Sequence, residues 1–199
     1  GARAVDALVL EEFDRTAPMG TGSAKVGGNY APVLRWSMQA KSQGYGITLH
    51  LDSKTRSEID EFSAAGFIGV KQMGEDVTLV TPDSPNIIRS ITSESCLQLA
   101  RSFGWKVELR PVKYEELSEF SEILAVGTAA VVVPVSSITR TARGEKFVYT
   151  PTVEGSYQCA TKLSKAIQDI QRGLAEDVFS WCYPIMRPET YHSSKEIDI

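Results

Sequence analysis

Apolar and polar positions along the chain follow two periods, and each period predicts a different kind of element. Short apolar or strictly alternating runs predict strands over residues 5–10, 47–51, 67–70, 77–80, 105–111, 123–126 and 130–135. Helical spacing predicts helices from Pro32 to near Gly44, from an N-cap at Thr92 to Gly104, and over residues 156–173, with a short acidic helix over 113–119. Strands alternating with helices indicate an α/β or mixed α+β fold in one domain.

The two ends of the chain differ from its middle. The first strand begins within a few residues of Gly1, and no charged segment followed by an apolar stretch marks a signal peptide. We therefore expect the chain to be a fragment of a longer protein. Residues 1–187 are assigned to one domain, and residues 188–199 are expected to form a loose polar tail.

Composition argues against several classes of protein. The 199 residues are 42% hydrophobic and 23% charged, as in an ordinary globular domain, and 21 Lys+Arg against 25 Asp+Glu give a net charge of −4. That balance, without a basic stripe, argues against nucleic-acid binding. The longest apolar run, residues 125–135, contains Gly127, Thr128 and Pro134 and is too short to span a bilayer. We expect neither a nucleic-acid partner nor a membrane.

The number and spacing of the cysteines and histidines limit the disulfides, metal sites and catalytic triads that the chain can form. Three cysteines without C-x-x-C spacing, Cys96, Cys159 and Cys182, argue for reduced thiols in an intracellular protein, cytoplasmic or mitochondrial. With only His50 and His192, a multi-histidine metal site is not available, and no metal is predicted. A catalytic triad built on His50 stays open, although no nucleophile-elbow sequence supports it.

Lys25 is the first candidate for chemistry along the chain. It precedes Gly27-Gly28, where the absence of side chains lets the backbone approach another group closely. A desolvated lysine amine loses its charge readily and then acts as a nucleophile. Taken alone, however, these few residues are more typical of a surface lysine beside a turn.

A longer string around Lys25 changes that interpretation. Gly22-Ser23-Ala24-Lys25-Val26-Gly27-Gly28-Asn29-Tyr30-Ala31 resembles the catalytic segment of the branched-chain aminotransferases, which are fold-type IV enzymes that use pyridoxal phosphate. Four more segments are similar to that family in the same order: Asp60-Glu61-Phe62-Ser63, Ser90-Ile91-Thr92, Val126-Gly127-Thr128-Ala129-Ala130-Val131 and Ile170-Gln171-Arg172-Gly173. Each match alone is weak, but five in order are a strong signal.

The resemblance implies a fold and a catalytic end of the site. The fold is the large carboxy-terminal domain of fold-type IV aminotransferases, a mixed sheet or pseudo-barrel with flanking helices. Lys25 would bond to pyridoxal phosphate and afterwards move the substrate proton. Glu61 would hold a proton on the pyridine nitrogen, with Glu58 or Asp60 as alternatives. Tyr30 would reach the phenolate oxygen of the cofactor, although unaided it is more typical of a core tyrosine.

The resemblance also implies a phosphate end. Ile91 and Thr92 precede a predicted helix, whose N–H groups and dipole suit a phosphate dianion, although Thr92 is equally suited to cap that helix. Thr128 lies in a turn between two strands and would bind phosphate and, with Ala129, the substrate. We therefore predict that Ile91, Thr92 and Thr128 converge on one anion site. The acidic cluster of Glu115, Glu116, Glu119 and Glu122 is interpreted as a solvated helix face.

Three positions depart from the family pattern. Gly66 stands where the family usually has Asn, five residues after the carboxylate, and Ser90 and Ser93 stand where it usually has Gly and Arg around the Ile-Thr pair. The Asn-to-Gly change removes an amide near the pyridine ring, and the Arg-to-Ser change removes a charge near the phosphate turn. Arg89 lies close in sequence to the position of the missing charge.

The expected function is pyridoxal-phosphate-dependent transamination of the branched-chain L-amino acids Leu, Ile and Val with 2-oxoglutarate. The small molecules would be an amino acid and a 2-oxo acid, and the assembly a homodimer, as in the family. The resemblance implies that the family's amino-terminal domain is absent from this sequence. Two alternatives stay open: a relative acting on D-amino acids or aminodeoxychorismate, and a degenerate, non-catalytic homologue that binds the cofactor or a partner.

Overall fold

The computed structural model describes residues 3–151 and 156–185, and the predicted tail over 188–199 lies outside these residues. Their strands are β1 (Val5–Val9), β2 (Ile47–Leu51), β3 (Glu58–Phe62), β4 (Gly66–Met73), β5 (Asp76–Pro82), β6 (Lys106–Arg110), β7 (Val112–Lys113), β8 (Glu122–Gly127), β9 (Val131–Arg140) and β10 (Glu145–Val148). Their helices are α1 (Gly27–Ser42), α2 (Ile91–Ser102) and α3 (Gln158–Gln171), with 3₁₀ turns over Tyr114–Glu119 and Thr141–Arg143.

The strands form one mixed sheet, in agreement with the predicted fold class. The strand order is β6-β5-β4-β8-β9-β1-β2-β3-β7, and β10 pairs with β9. β1 runs parallel to both of its neighbours, β2 and β9, whereas β4, β8 and β9 pair antiparallel. β3, near one end of this order, also contacts β4 and β5 toward the other end. The sheet therefore curls on itself, which brings the end of β3 close to the start of β4.

Two helices cover the sheet through the apolar faces that their spacing predicts. α3 buries Cys159, Ala160, Leu163, Ile167 and Ile170, and it packs against β9, β8 and α2. α2 packs against β4, β6 and β8 and buries its own stripe from Cys96 to Ala100. All three cysteines have free thiols, two of them in this buried layer. No helix within the described ranges has the length and apolarity needed to cross a membrane.

The structure corrects two predicted helix starts. Thr92 does not cap α2: the cap is Ser90, whose Oγ accepts a hydrogen bond of 3.1 Å from the backbone N–H of Ser93. α1 begins at Gly27, five residues before the predicted start at Pro32, so the proline lies inside the helix. Paired glycines in the first turn made this stretch resemble a loop, but the tertiary fold overrides their weak helix propensity.

The pattern of apolar residues missed β3, β7 and β10. The sequence of β3, Glu-Ile-Asp-Glu-Phe, is rich in carboxylates and was not predicted as a strand at all. The structure buries both Asp60 and Glu61 in it, with 2% and 4% of their surface exposed. A strand that buries charged side chains on a curled sheet does not show the usual alternation of apolar and polar positions.

The acidic cluster is only partly a solvated face. Glu115 and Glu119 are exposed as predicted, but Glu116 pairs with Arg110 at 2.7 Å and Lys71 at 3.2 Å. The prediction was wrong for Glu122, which is 1% exposed. Its two carboxylate oxygens each accept a hydrogen bond of 3.0 Å, from the backbone N–H of Cys159 and of Ala160. Glu122 thus caps the N-terminus of α3 from the neighbouring strand, where the helix dipole favours negative charge.

Replacing Glu122 with Ala should destabilise the complete protein by about 3 kcal/mol, because two buried N–H groups lose a charged acceptor. Glu122→Gln keeps one acceptor oxygen and should cost less. The exposed Glu119→Ala, three residues away, serves as the control and should cost under about 1 kcal/mol, because its ion pair with Lys71 lies at the surface. Denaturant unfolding of the three variants checks this order. Equal effects of Glu122→Ala and Glu119→Ala would show that the cap contributes nothing.

Candidate active site

A cleft of about 320 Å³ opens where the segment before α1, the β3–β4 turn, the start of α2 and the β8–β9 turn meet. The six residues predicted to contact the cofactor all line it: Lys25, Tyr30, Glu61, Ile91, Thr92 and Thr128. Ala129, predicted to contact the substrate, is exposed in the β8–β9 turn and is not among the lining residues. The start of α2 and the β8–β9 turn therefore face the same space.

Glu61 enters the cleft from β3 as a buried carboxylate. Nη2 of Arg15 lies 2.9 Å from its Oε1, but the N–H does not point at that oxygen, so Oε1 is buried without a well-directed hydrogen bond. Burial raises the pKa of Glu61 to about 7. This increase is opposed by the positive charges of Arg15 and Lys25 and by the N–H of Ile88, whereas the negative charge of Asp60 adds to it. Oε1 thus has an ion-pair partner in Arg15 and can still accept a well-directed hydrogen bond from an N–H group. Glu58 and Asp60, the alternatives from the sequence, do not line the cleft.

Arg15 is a site residue that sequence reasoning missed. Its side chain is 1% exposed; it forms an ion pair with Glu61 and donates to the carbonyls of Gly22 and Ser63, at 3.2 and 3.4 Å. It therefore joins the segment before α1 to the β3–β4 turn. A single arginine in a polar, glycine-rich stretch has no sequence signal of this role, because its partners are distant in sequence.

The segment that carries Lys25 is shaped by Gly22 and Asn29. A Cβ at Gly22 would lie 2.6 Å from the carbonyl oxygen of Asn86 and 2.8 Å from the Cα of Thr16, so only glycine fits. The buried Asn29 amide donates to the carbonyls of Gly22 and Ala24, each at 3.1 Å. By contrast, a Cβ at Gly27 or Gly28 would meet no described atom within 4 Å. The close approach predicted for that pair thus occurs at Gly22.

Lys25 and Tyr30 form a pair at the mouth of the cleft. Lys25 Nζ lies 2.5 Å from the Tyr30 hydroxyl oxygen and 4.4 Å from the centre of its ring. Tyr30 comes from the first turns of α1, so the helix fixes the phenol relative to the exposed amine. The two other candidate lysines are elsewhere: Lys41 is exposed near the end of α1, and Lys71 pairs with Glu116 and Glu119.

The start of α2 gives the cleft an edge of backbone donors. The first N–H groups of a helix have no partner within the helix. Ser90 Oγ accepts a hydrogen bond from the N–H of Ser93. Ile91 and Thr92, the first two residues of the helix, both line the cleft, and their N–H groups have no acceptor within the helix. Thr128 lines the same cleft from the β8–β9 turn. Such an arrangement of amides and hydroxyls at a helix N-terminus suits a phosphate group.

The β8–β9 turn is strained next to Thr128. Val131, paired with Gly127 across the hairpin, has a φ of 61°, a left-handed conformation that β-branched residues rarely adopt. Three residues separate this pair, a loop length that commonly ends on a left-handed residue, usually Gly. Strain of this kind is often retained where a loop must present its backbone to a ligand.

His50 does not contribute a triad to this cleft. It lies on β2 opposite Glu61 but is 1% exposed, and its Nε2 is 3.2 Å from Thr48 Oγ1. Burial, with Arg15 and Arg56 nearby, lowers the pKa of His50 to about 3, so the ring is neutral. It lines neither this cleft nor the larger cavity beside it.

Comparison with known proteins identifies the family. A model of class IV amino-transferases matches residues 2–138, more than half of the chain. The chain belongs to the class IV aminotransferase family.

Relatives within this aminotransferase family agree with the match. "Aminotransferase poxL" of Penicillium oxalicum is 65% identical over 96% of this chain and 52% of its own length. "Branched-chain amino acid aminotransferase gloG" of Glarea lozoyensis is 51% identical over 91% of the chain and 51% of its own length. The solved branched-chain amino acid aminotransferase of Escherichia coli superposes with a TM-score of 0.72 and 27% identity, over 89% of this chain and 56% of that one. The chain thus spans about half the length of the curated relatives it matches.

Class IV aminotransferases use pyridoxal phosphate, and the cleft of this aminotransferase chain fits that group. Glu61 Oε1 is a buried acceptor without a well-directed donor, as a protonated pyridine nitrogen requires. Lys25 supplies a primary amine, and the start of α2 supplies donors for a phosphate. Arg89, close to the position where the family usually has a cation, is exposed and also lines the cleft.

Proposed function

We propose that this protein is a pyridoxal-phosphate-dependent aminotransferase that moves the amino group of Leu, Ile or Val to 2-oxoglutarate. The observation that supports the proposal is the meeting of Lys25, Glu61 and Thr92 in one cleft. When bound, pyridoxal phosphate supplies an electron sink that stabilises negative charge at the substrate Cα. The residues of the cleft would bind that group, orient it and move protons.

Glu61 would bind the protonated ring nitrogen. A charge-assisted hydrogen bond from that nitrogen satisfies Oε1 and replaces the solvation that burial has removed. Arg15 would hold the carboxylate in place from the side, because its guanidinium is fixed by the carbonyls of Gly22 and Ser63. The ring would then be kept in its protonated, electron-withdrawing state by a positioned anion.

Lys25 would bind the cofactor covalently and, once released by the amino substrate, carry the proton from the substrate Cα. Its amine is close enough to Tyr30 for the phenol to orient it. A positioned base of this kind typically contributes about 10²–10⁴-fold to the rate. The Tyr30 hydroxyl would also reach the phenolate oxygen of the cofactor, as the resemblance implies.

The phosphate would be held between the start of α2 and the β8–β9 turn. Ile91 and Thr92 offer the first N–H groups of α2, and Thr128 offers a hydroxyl from the β8–β9 turn. Ala129, adjacent to Thr128, is proposed to contact the substrate carboxylate. Anchoring both ends of a rigid ring fixes its plane relative to Lys25, which is the orientation that proton transfer needs.

The substrate class rests on relatives. The Escherichia coli and Glarea lozoyensis proteins are both named as branched-chain amino acid aminotransferases, whereas poxL is named only an aminotransferase.

We also propose a homodimer, from the resemblance to the family. The compartment would be cytoplasmic or mitochondrial, where the free thiols of Cys96, Cys159 and Cys182 would stay reduced. Sedimentation of the complete protein tests the dimer.

The test of function is an assay of the complete protein with added pyridoxal phosphate. We expect a yellow colour that fades when L-Leu, L-Ile or L-Val is added, and glutamate formation when 2-oxoglutarate follows. D-alanine and aminodeoxychorismate serve as competing substrates under the same conditions. Faster turnover of either would favour the corresponding relative. A bound cofactor whose colour stays the same after each of the amino donors is added would indicate the non-catalytic homologue.

A further inference from the structure

The three positions that depart from the family pattern lie against one another in the structure. Gly66 begins β4 on the wall of the cleft, and Ser90 and Ser93 are the cap and the third residue of α2. A Cβ at position 66 would lie 2.6 Å from Ser93 Oγ, 3.4 Å from Val126 Cγ2 and 3.5 Å from Ser90 Cβ. The space for a side chain at position 66 is therefore already taken, chiefly by the Ser93 hydroxyl.

Gly66 and Ser93 meet where the start of α2 packs against β4. The backbone N–H of Ser93 donates to Ser90 Oγ, so the cap holds the backbone of Ser93 at the start of the helix. Ile91 and Thr92 lie between them in the chain and line the cleft. A side chain at position 66 that pushed Ser93 away would therefore move the first two N–H groups of the helix.

We infer that Gly66 and Ser93 are a matched pair that positions the first N–H groups of α2 for the phosphate of the cofactor. The inference rests on the proposed function, because it takes pyridoxal phosphate as the ligand of the cleft. The absence of a side chain at position 66 leaves room for the Ser93 hydroxyl beside β4. Both are positioning residues, since they act through Ile91 and Thr92.

The test is a double-mutant cycle on the complete protein. Gly66→Ala, Ser93→Ala and the double variant are titrated with pyridoxal phosphate and, separately, with pyridoxal, which lacks the phosphate. Gly66→Ala should weaken pyridoxal phosphate binding about tenfold, the range expected of an overpacked contact, and leave pyridoxal binding within about twofold. Removing the Ser93 hydroxyl in the double variant should restore affinity to within about threefold of the unsubstituted protein.

A matched control separates this pairing from a general effect on the helix. Ser102 is an exposed serine at the other end of α2, so Ser102→Ala should not restore binding to Gly66→Ala. If Gly66→Ala fails to fold, the pairing requires that the double variant fold, and failure of both to fold would contradict it.

The remaining outcomes are equally decisive. Unchanged affinity in Gly66→Ala, which rotation of the Ser93 hydroxyl alone would produce, overturns the inference. So does an equal loss for pyridoxal and pyridoxal phosphate, or a loss that Ser93→Ala does not repair. Each of these leaves the proposed function intact, provided that the unsubstituted protein binds pyridoxal phosphate. An unsubstituted protein that does not bind it overturns the proposed function and the inference together.

Discussion

Lys25→Ala is expected to lower transamination by the complete protein by at least about 10⁴-fold, because it would remove the proposed covalent anchor and the proposed base together. Pyridoxal phosphate should still bind, since the contacts proposed for Glu61 and the start of α2 would remain. Lys25→Arg should fail similarly, because a guanidinium stays protonated at neutral pH and is neither nucleophile nor base. Rates of glutamate formation and absorbance of bound cofactor check both variants.

The lysine itself is identified by borohydride reduction of the complete protein with bound cofactor, followed by peptide mapping. The label should fall on the peptide that contains Lys25. Lys41→Ala is the matched control, since Lys41 is an exposed lysine on the helix that follows, and it should have normal activity. Label on Lys41 or on Lys71, whose amine is engaged by two glutamates, would refute the assignment. So would normal turnover in Lys25→Ala.

The parts of the fold that the sequence predicts are those where one face of an element is buried. α3 follows its apolar stripe through Leu163, Ile167 and Ile170, and the strands predicted over residues 67–70 and 77–80 lie within β4 and β5, which pair as a hairpin. β3 was missed because the residues that it buries include the charged Asp60 and Glu61, so its sequence does not have the apolar pattern of a buried strand. Glu122 was placed on a solvated face because nothing near it in sequence reveals that the N-terminus of α3 lies above it.

The sequence likewise identified some residues of the candidate site and missed others. Lys25, Glu61 and Thr128 lie in short strings whose order is informative, and the structure brings those strings to one cleft. Arg15 has no such string, because its role depends on Glu61, Gly22 and Ser63 meeting around it. The contact between Gly66 and Ser93 is equally invisible in sequence, since the two residues belong to different elements. Roles that depend on packing between distant segments need the fold before they can be recognised.

Glu61→Gln is expected to weaken pyridoxal phosphate binding by about 10- to 150-fold, the equivalent of 1.5–3 kcal/mol for a hydrogen bond to a charged group. The amide keeps the size of the carboxylate but supplies no negative charge for the protonated ring nitrogen. The matched control is Glu58→Gln on the same strand, whose partly exposed side chain pairs with Lys113 instead. Titration of the complete protein with the cofactor compares the two. Equal affinities would refute the role of Glu61.

The same substitution should have the opposite effect on the protein without its cofactor. Burial raises the pKa of Glu61 from 4.5 to about 7, so between these values the folded state holds a proton that the unfolded state releases. Stability therefore falls as pH rises through this window, by up to about 3 kcal/mol from this group. Glu61→Gln lacks the titrating group, so the variant should match the unsubstituted protein near pH 4.5 and exceed its stability near pH 8. Denaturant unfolding at the two pH values, with Glu58→Gln alongside, measures the difference. If the difference in stability between Glu61→Gln and the unsubstituted protein is the same at both pH values, Glu61 is ionised without cost in the protein that lacks the cofactor. The cofactor is then not needed to neutralise its charge.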